Sequence, residues 1–172
     1  LFRIRRETKN HLEGKTAWIR LKLNSLLDEE IIAALYEAAD AGVKIEIIVR
    51  GICALQFSTQ AQRENIKVRS ILGRFLEHSR IYYFKNDGAE EYYIGSADVM
   101  HRNLDRRVEA LVRIDAEKHK DRLRRILDDS VSEKYSTWSL LDDNHWERRT
   151  RDFEGNLLVN FQDHFVEKHN RA

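Results

Sequence analysis

The sequence has no proline in 172 residues. Average usage near 5% leads one to expect about eight or nine. Glycine is scarce as well, at 7. With both structure breakers so rare, a collagen-like repeat and a flexible linker are excluded, and a nearly continuous run of helices and strands is expected. One cysteine, Cys53, excludes an internal disulfide and any cysteine-based zinc cluster, and it suits a reducing compartment. The longest apolar run, Ile31 to Tyr36, falls far short of the ~20 residues that span a bilayer. There is no excess of charge of either sign, since 30 Lys and Arg face 29 Asp and Glu for a formal +1. That balance argues against a generic nucleic-acid binder, which carries a strong basic excess. No basic stretch followed by an apolar segment opens the chain, so no signal peptide is expected. A start at Leu1, running into Phe2-Arg3-Ile4-Arg5-Arg6, reads as a piece of something longer or as a trimmed chain. A hydrophobic content of 42% with aromatics argues against disorder. The length suits one domain, or a domain with an appendage.

Ala17 to Leu23 alternates apolar and polar residues, the period of a half-buried strand. Ser25 or Asp28 can cap the next segment, where Ile31, Ile32, Leu35, Tyr36 and Ala39 recur at helical spacing. Gly42 stands where a helix stops in the left-handed conformation. Val43 to Val49 is then a β-branched strand. Strand, helix and strand make a βαβ unit, which predicts a parallel pair with a right-handed crossover. After a polar loop, Gln56 to Asn65, strands are expected at Ile66–Ile71, Ser79–Phe84, Glu91–Ser96 and Arg107–Ile114. The turn Lys85-Asn86-Asp87-Gly88 supplies the positive φ angles of a hairpin. Ala116 to Trp138 reads as an amphipathic helix with Leu123, Ile126, Leu127 and Val131 on one face. A further helix is expected at Leu157 to His169. The fold class is α/β with a helical C-terminal tail.

Three clusters of residues carry chemistry. Arg50-Gly51 closes the second strand, and ligands of open parallel sheets bind beyond the carboxyl ends of strands. It is either an anion site or an ordinary surface turn. His78 and Arg80, two apart at the entry to a strand, project from the same face. An imidazole can move a proton or attack phosphorus near neutral pH while a guanidinium forks two donors onto phosphate oxygens. Read alone, His78 is also compatible with an ordinary, partly buried histidine. From Arg63 to Arg80, five basic residues oppose two acids. Third, Gly95-Ser96-Ala97-Asp98 ends a strand where a small hydroxyl and backbone N–H groups approach an anion closely. Downstream, Asp105 or Glu109 can orient a histidine as a carboxylate does in a triad. A solvated loop with internal ion pairs is the bland alternative.

Together, His-x-Arg, Gly-Ser-x-Asp and a later Glu resemble one half of a phospholipase D-type site. That superfamily has Lys where Arg80 stands and often Asn where Asp98 stands. Three longer stretches, LKLNSLLDEEIIAALYEAADAGVKIEIIVRGICAL, ENIKVRSILGRFLEHSRIYYF and YYIGSADVMHRNLDRRVEALV, resemble the last catalytic domain of the bacterial polyphosphate kinase family. The likeness is dense over residues 12 to 115. It implies a phospholipase D-like mixed sheet with flanking helices. On that pattern, residues 1–115 form a catalytic half-domain and 116–172 a helical extension packing on it.

The resemblance also implies reversible transfer of the terminal phosphoryl group of ATP to polyphosphate, with Mg²⁺. The reaction is expected to run through a phosphohistidine on a sister domain absent from this chain. His78 matches the second catalytic histidine, a general acid or phosphate contact. Glu109 matches a carboxylate that works with a catalytic histidine. Arg50 and Arg107 match arginines that contact phosphates, and Arg80 and Ser96 are expected to bind substrate. No metal ligands are expected here, the Mg²⁺ being held mainly outside this chain. The implied partners are ATP or ADP, polyphosphate, the sister domain and a homo-oligomer, with no nucleic acid. The implied location is cytoplasmic, or peripheral at the inner membrane. A dimeric phospholipase D-like phosphodiesterase or nuclease, and a non-catalytic polyanion-binding domain, are the alternatives. The family's Pro- and Gly-containing loop is replaced here by Gln56 to Arg63, and its tryptophan by Val99. A loop so altered is expected to be mobile or rebuilt.

Overall fold

The computed structural model describes residues 1–100 and 108–170. The βαβ signal is realised as β1 (Trp18–Leu23), α2 (Glu29–Asp40) and β2 (Lys44–Val49), preceded by α1 (Phe2–Leu12). The Asp28 carboxylate accepts the Ile31 N–H and so caps α2, while Gly42 stops it at φ +104°. Next come α3 (Gln60–Asn65) and β3 (Ile66–Ser70), followed by β4 (Ile81–Phe84) and β5 (Glu91–Gly95). The turn between β4 and β5 has positive φ at Asn86, Asp87 and Gly88, as the hairpin signal predicts. Further on lie β6 (Leu111–Ile114), α4 (Glu117–Val131), β7 (Tyr135–Leu140), β8 (Trp146–Arg149), β9 (Val159–Asn160) and α5 (Phe161–Asn170).

The described strands form one mixed sheet in the order β6-β5-β4-β1-β2-β3-β7-β8, with β9 beside β7. β1, β2 and β3 run parallel, and β4, β5, β6, β7 and β8 are joined antiparallel. The central strands are buried on both faces, the usual state of parallel strands. Ile45, Ile47 and Val49 pack on the side of α2, with Leu35, Ala38 and Ala39. Ile48 points the other way, into a second core with Ile81, Tyr83, Tyr92, Leu127 of α4 and Phe161 of α5.

Several elements differ from the sequence expectation. The charged opening is helical because Ile4 and Glu7 face the core. The Glu7 carboxylate is fully buried and accepts N–H groups of Asn86 and Trp18; burial pushes its carboxyl up, against those bonds. The polar stretch Gln56–Asn65 is loop only in its first half. Thr59 and Gln62 close a reciprocal capping box that starts α3. The long helix expected to reach Trp138 stops at Val131, and Tyr135-Ser-Thr-Trp-Ser-Leu alternates as β7, with Tyr135 and Thr137 buried. The C-terminal stretch expected as helical thus holds a helix, three short strands and a helix. The last helix begins at Phe161, not at Leu157.

The Pro-free loop is fastened at several points. Phe57 and Gln62 are buried. The Tyr36 hydroxyl donates to Gln56 O and accepts the Gln56 N–H, and the Asn144 side chain bonds both N–H and C=O of Phe57.

Candidate phosphate site at one end of the sheet

Strand register explains why residues distant in sequence meet. Arg50 follows the carboxyl end of β2, which pairs with β1 up to Leu23 beside Val49. β4 runs against β1, so Ile81 at its start lies opposite Lys22 near the end of β1. β5 ends at Gly95, beside the start of β6 at Leu111, and Ile94 faces Ile81. The segments carrying Arg50, His78, Arg80, Ser96 and Glu109 therefore all emerge from one end of the sheet. This is where ligands of open α/β sheets bind.

A continuous hydrogen-bonded chain links these segments. Arg50 Nε donates to Asn24 Oδ1 at 3.0 Å, the one hydrogen-bond partner of its side chain among the described residues. The Asn24 and Ser25 N–H groups donate to Asp98 Oδ1 at 2.7 and 3.3 Å. Arg80 Nη2 donates to Asp98 Oδ2 at 2.7 Å, and both side chains are 8% exposed. Arg80 Nη1 lies 2.9 Å from His78 Nδ1 and also donates to His78 O at 2.9 Å. A guanidinium can only donate, so His78 Nδ1 accepts and the ring proton sits on Nε2. In this arrangement exposed His78 presents an N–H donor, its other nitrogen being occupied.

Electrostatics follow from the same contacts. Burial pushes the Asp98 carboxyl up, but the Arg80 hydrogen bond and the Asn24 N–H outweigh it and hold it below the usual carboxylate range. Asp98 in turn holds the Arg80 guanidinium even more firmly protonated. Burial, then the Asp98 charge, raises the Tyr82 phenol, whose hydroxyl donates to Ala97 O at 2.6 Å. Two buried donors beside the pair, Asn24 Nδ2 and Arg80 Nε, have no hydrogen-bond partner among the described residues.

The expected site residues that the structure describes fall into three groups. Arg50 and His78 stand on the chain of bonds with outward-facing capacity. Arg80, expected to bind substrate, turns inward: its guanidinium is taken by Asp98 and His78, and the residue is 8% exposed. Ser96 and Glu109 pair with each other, the Ser96 hydroxyl donating to the Glu109 carboxylate and accepting the Ala110 N–H. His78 is bonded to Arg80, and Glu109, expected to work with a catalytic histidine, bonds Ser96 on this domain. Arg107 and Asp105 lie outside the described residues. Asn24 is the member that the motifs do not flag. Its one signal is its place after an alternating strand, equivalent to that of Arg50 after β2.

Among the described residues, no three His, Cys, Asp or Glu side chains converge as metal ligands. Asp98 is engaged by Arg80 and two amides, and Glu109 by Ser96. Among the described residues, this donor set does not fit a resident Mg²⁺.

A family model described as polyphosphate kinase C-terminal domain 2 matches residues 1–160. The polyphosphate kinase of Streptomyces coelicolor is 46% identical over 98% of this chain, and that of Burkholderia vietnamiensis 51% identical over 85%. The chain spans only 23% and 21% of the length of those two relatives. In three dimensions, the crystal structure of polyphosphate kinase from Porphyromonas gingivalis superposes on 99% of this chain with a TM-score of 0.86 and 32% identity, using 26% of its own length. A phospholipase D family member, Nuc from Salmonella typhimurium, matches 86% of this chain and 90% of its own with a TM-score of 0.54 at 15% identity, a likeness of fold alone. Its sequence, its site motifs and its sheet place this chain in the polyphosphate kinase family, as the second C-terminal domain.

Proposed function

We propose that this domain supplies half of a phosphotransfer centre. The complete centre moves the terminal phosphoryl group of ATP reversibly onto polyphosphate through a phosphohistidine on a sister domain outside the chain. The observation that carries this reading is the Arg80–His78 contact. With Nδ1 occupied by a donor, the imidazole has no free lone pair in this arrangement with which to attack phosphorus. Its Nε2–H is suited to donate to an oxygen of the transferring group or the leaving oxygen. Such a role complements a nucleophile contributed by another domain. Arg50, steadied through Nε by Asn24, retains its Nη donors for phosphate oxygens. Each phosphoryl transfer, onto the histidine and off it, needs cations placed around the spreading oxygen charge, and Arg50 meets that need. Arg107 is assigned a second phosphate contact on the family pattern, and the Ser96–Glu109 pair borders the same end of the sheet.

Mg²⁺ is assigned to the nucleotide and to residues outside this domain. The working protein is assigned a cytoplasmic location, or a peripheral one at the inner membrane, and a homo-oligomeric state; no described helix is long and apolar enough to cross a membrane. Incubation with ATP and Mg²⁺ followed by a polyphosphate assay tests the reading. The isolated domain is expected to make none, and the full-length protein to make it readily. His78→Ala in the full-length protein is expected to cost about 10²–10⁴-fold in rate, the usual worth of a placed general acid. Wild-type rates in that variant, or robust synthesis by the isolated domain, would overturn the assignment. A nuclease activity in the purified dimer would favour the phosphodiesterase alternative.

A further inference from the structure

We infer that the C-terminal helix α5 is a positioning device for His78, acting through the side-chain amide of Gln162. The inference rests on the role proposed for His78 above. Gln162 is the second residue of α5 and is 5% exposed, unusual for a glutamine. Its amide pairs with the backbone of the histidine loop as a neighbouring strand would. The Phe75 N–H donates to Gln162 Oε1 at 2.7 Å, and Gln162 Nε2 donates to Phe75 O at 2.8 Å. The same Nε2 donates to Glu77 Oε1 at 3.1 Å, and the other Glu77 oxygen accepts from buried Lys22 of β1 at 2.5 Å. Glu77 is the residue immediately before His78. The amide thus fixes the approach to the histidine, while Arg80 fixes its ring.

Apolar packing does little to hold this loop. Leu72, Phe75 and Leu76 are 52%, 50% and 72% exposed. Beneath the loop is a cavity of about 450 Å³, bordered by Phe75, Glu77, Ile126, Phe161 and Phe165. Where side chains do not interlock, directional hydrogen bonds decide the backbone's course. Gly73 fits the same picture, since a Cβ there would stand 2.4 Å from Gln162 Oε1. With no side chain at this position, the loop backbone can pass close to the amide. The helix bearing Gln162 is anchored independently. Phe161 is 4% exposed and meets Tyr135 edge-on at 5.5 Å, and Asn160 Oδ1 accepts the Gln162 N–H at 2.8 Å. The anchor and the loop are 87 positions apart in sequence.

Gln162→Met in the full-length protein keeps the bulk and removes all three bonds. The expected result is a ten- to hundred-fold fall in kcat with the KM for ATP changed less than twofold, because misplacement of a catalytic group by ~1 Å costs about that much. Amide exchange is expected to quicken within residues 73–79 and nowhere else, with the unfolding midpoint within a few degrees of wild type. Gly73→Ala attacks the same contact from the loop side, leaving the sequence of α5 intact, and is expected to reproduce the pattern. Unchanged exchange at 73–79 in both variants overturns the inference, as does a kcat that falls only in step with a general loss of folded protein. Should the wild-type protein fail to make polyphosphate, the proposed function fails. The exchange measurement still decides whether Gln162 fixes the loop.

Discussion

Replacing Asp98 with asparagine removes the charge at the centre of the site with almost no change of volume. Arg80, only 8% exposed, then keeps a charge that cannot be neutralised by deprotonation and has lost its counterion. Breaking one side of a buried pair costs about 3–5 kcal/mol, because the survivor remains desolvated. The Asn24 and Ser25 N–H groups still find an oxygen if the new amide turns its carbonyl towards them, so the lower half of that range applies to the isosteric change. For a domain of this size each kcal/mol moves the melting temperature by about 2–4 °C. Asp98→Asn should therefore lower it by about 6–16 °C in a scan at pH 7. Pairing the change with Arg80→Met, which removes the stranded charge, should recover at least half of the loss. The acid side supplies a further check. The native carboxyl is held below its unfolded value, so its stabilisation is complete above the unfolded pKa of about 3.9 and is lost as pH falls through the native one. The gap between wild type and Asp98→Asn should hold steady from pH 5 to 7 and close in acid. A variant melting within about 2 °C of wild type, or a gap that widens in acid, would refute the account of a charge pair at the centre of the site.

Glu90→Gln weakens a partly exposed cluster in which the carboxylate takes Tyr83 and Lys85 at 2.9 and 2.8 Å on one oxygen and Arg124 at 2.9 Å on the other. Burial raises that carboxyl, but its three partners override burial and hold it at about 2. Solvent screening limits the expected loss to about 1–2 kcal/mol, present above pH ~4.5 and fading as pH falls towards 2, read by urea titration at pH 7 and pH 3. Gly42→Ala forces a side chain onto φ +104° and sets its Cβ 2.6 Å from His11 Nε2. His11 can swing aside, so the backbone dominates and about 1–3 kcal/mol should be lost in a thermal melt. Asn144→Ala removes the two bonds to Phe57 at 2.6 and 3.0 Å. It should cost about 1–2 kcal/mol and speed amide exchange at residues 56–58 before any other segment.

The central βαβ unit was legible because its apolar residues repeat with periods of two and then 3.6 between a cap and a stop glycine. The α3 helix was not, since its start is a polar capping box with no apolar stripe behind it. β7 departs from the helical expectation for a specific reason. Leu127, Val131, Tyr135 and Trp138 are spaced as one helical face, and no proline or glycine interrupts them. Only the alternation of Tyr135, Thr137 and Ser139 with their neighbours marks a strand, and it pairs with β3 across some seventy positions. In the site, His78, Arg80 and Asp98 were visible as motif residues. Their division of labour was not, because it depends on which oxygen or nitrogen each donor reaches. Asn24 and Gln162 lie 74 and 87 positions from the atoms they bind, with nothing local to announce the partnership.

The β3–β7 ladder has a practical consequence for anyone dividing this chain. β7 lines the outer side of β3 through Arg69–Ser139 and Ser70–Trp138. A version ending at residue 115 would leave the outer edge of β3 as a bare row of N–H and C=O groups, a template for pairing with a second molecule. The same cut removes Leu127 and Phe161 from above Ile48, Ile81, Tyr83 and Tyr92. Such a shortened chain should self-associate through strand pairing and a greasy face, and light scattering would report the aggregates during purification.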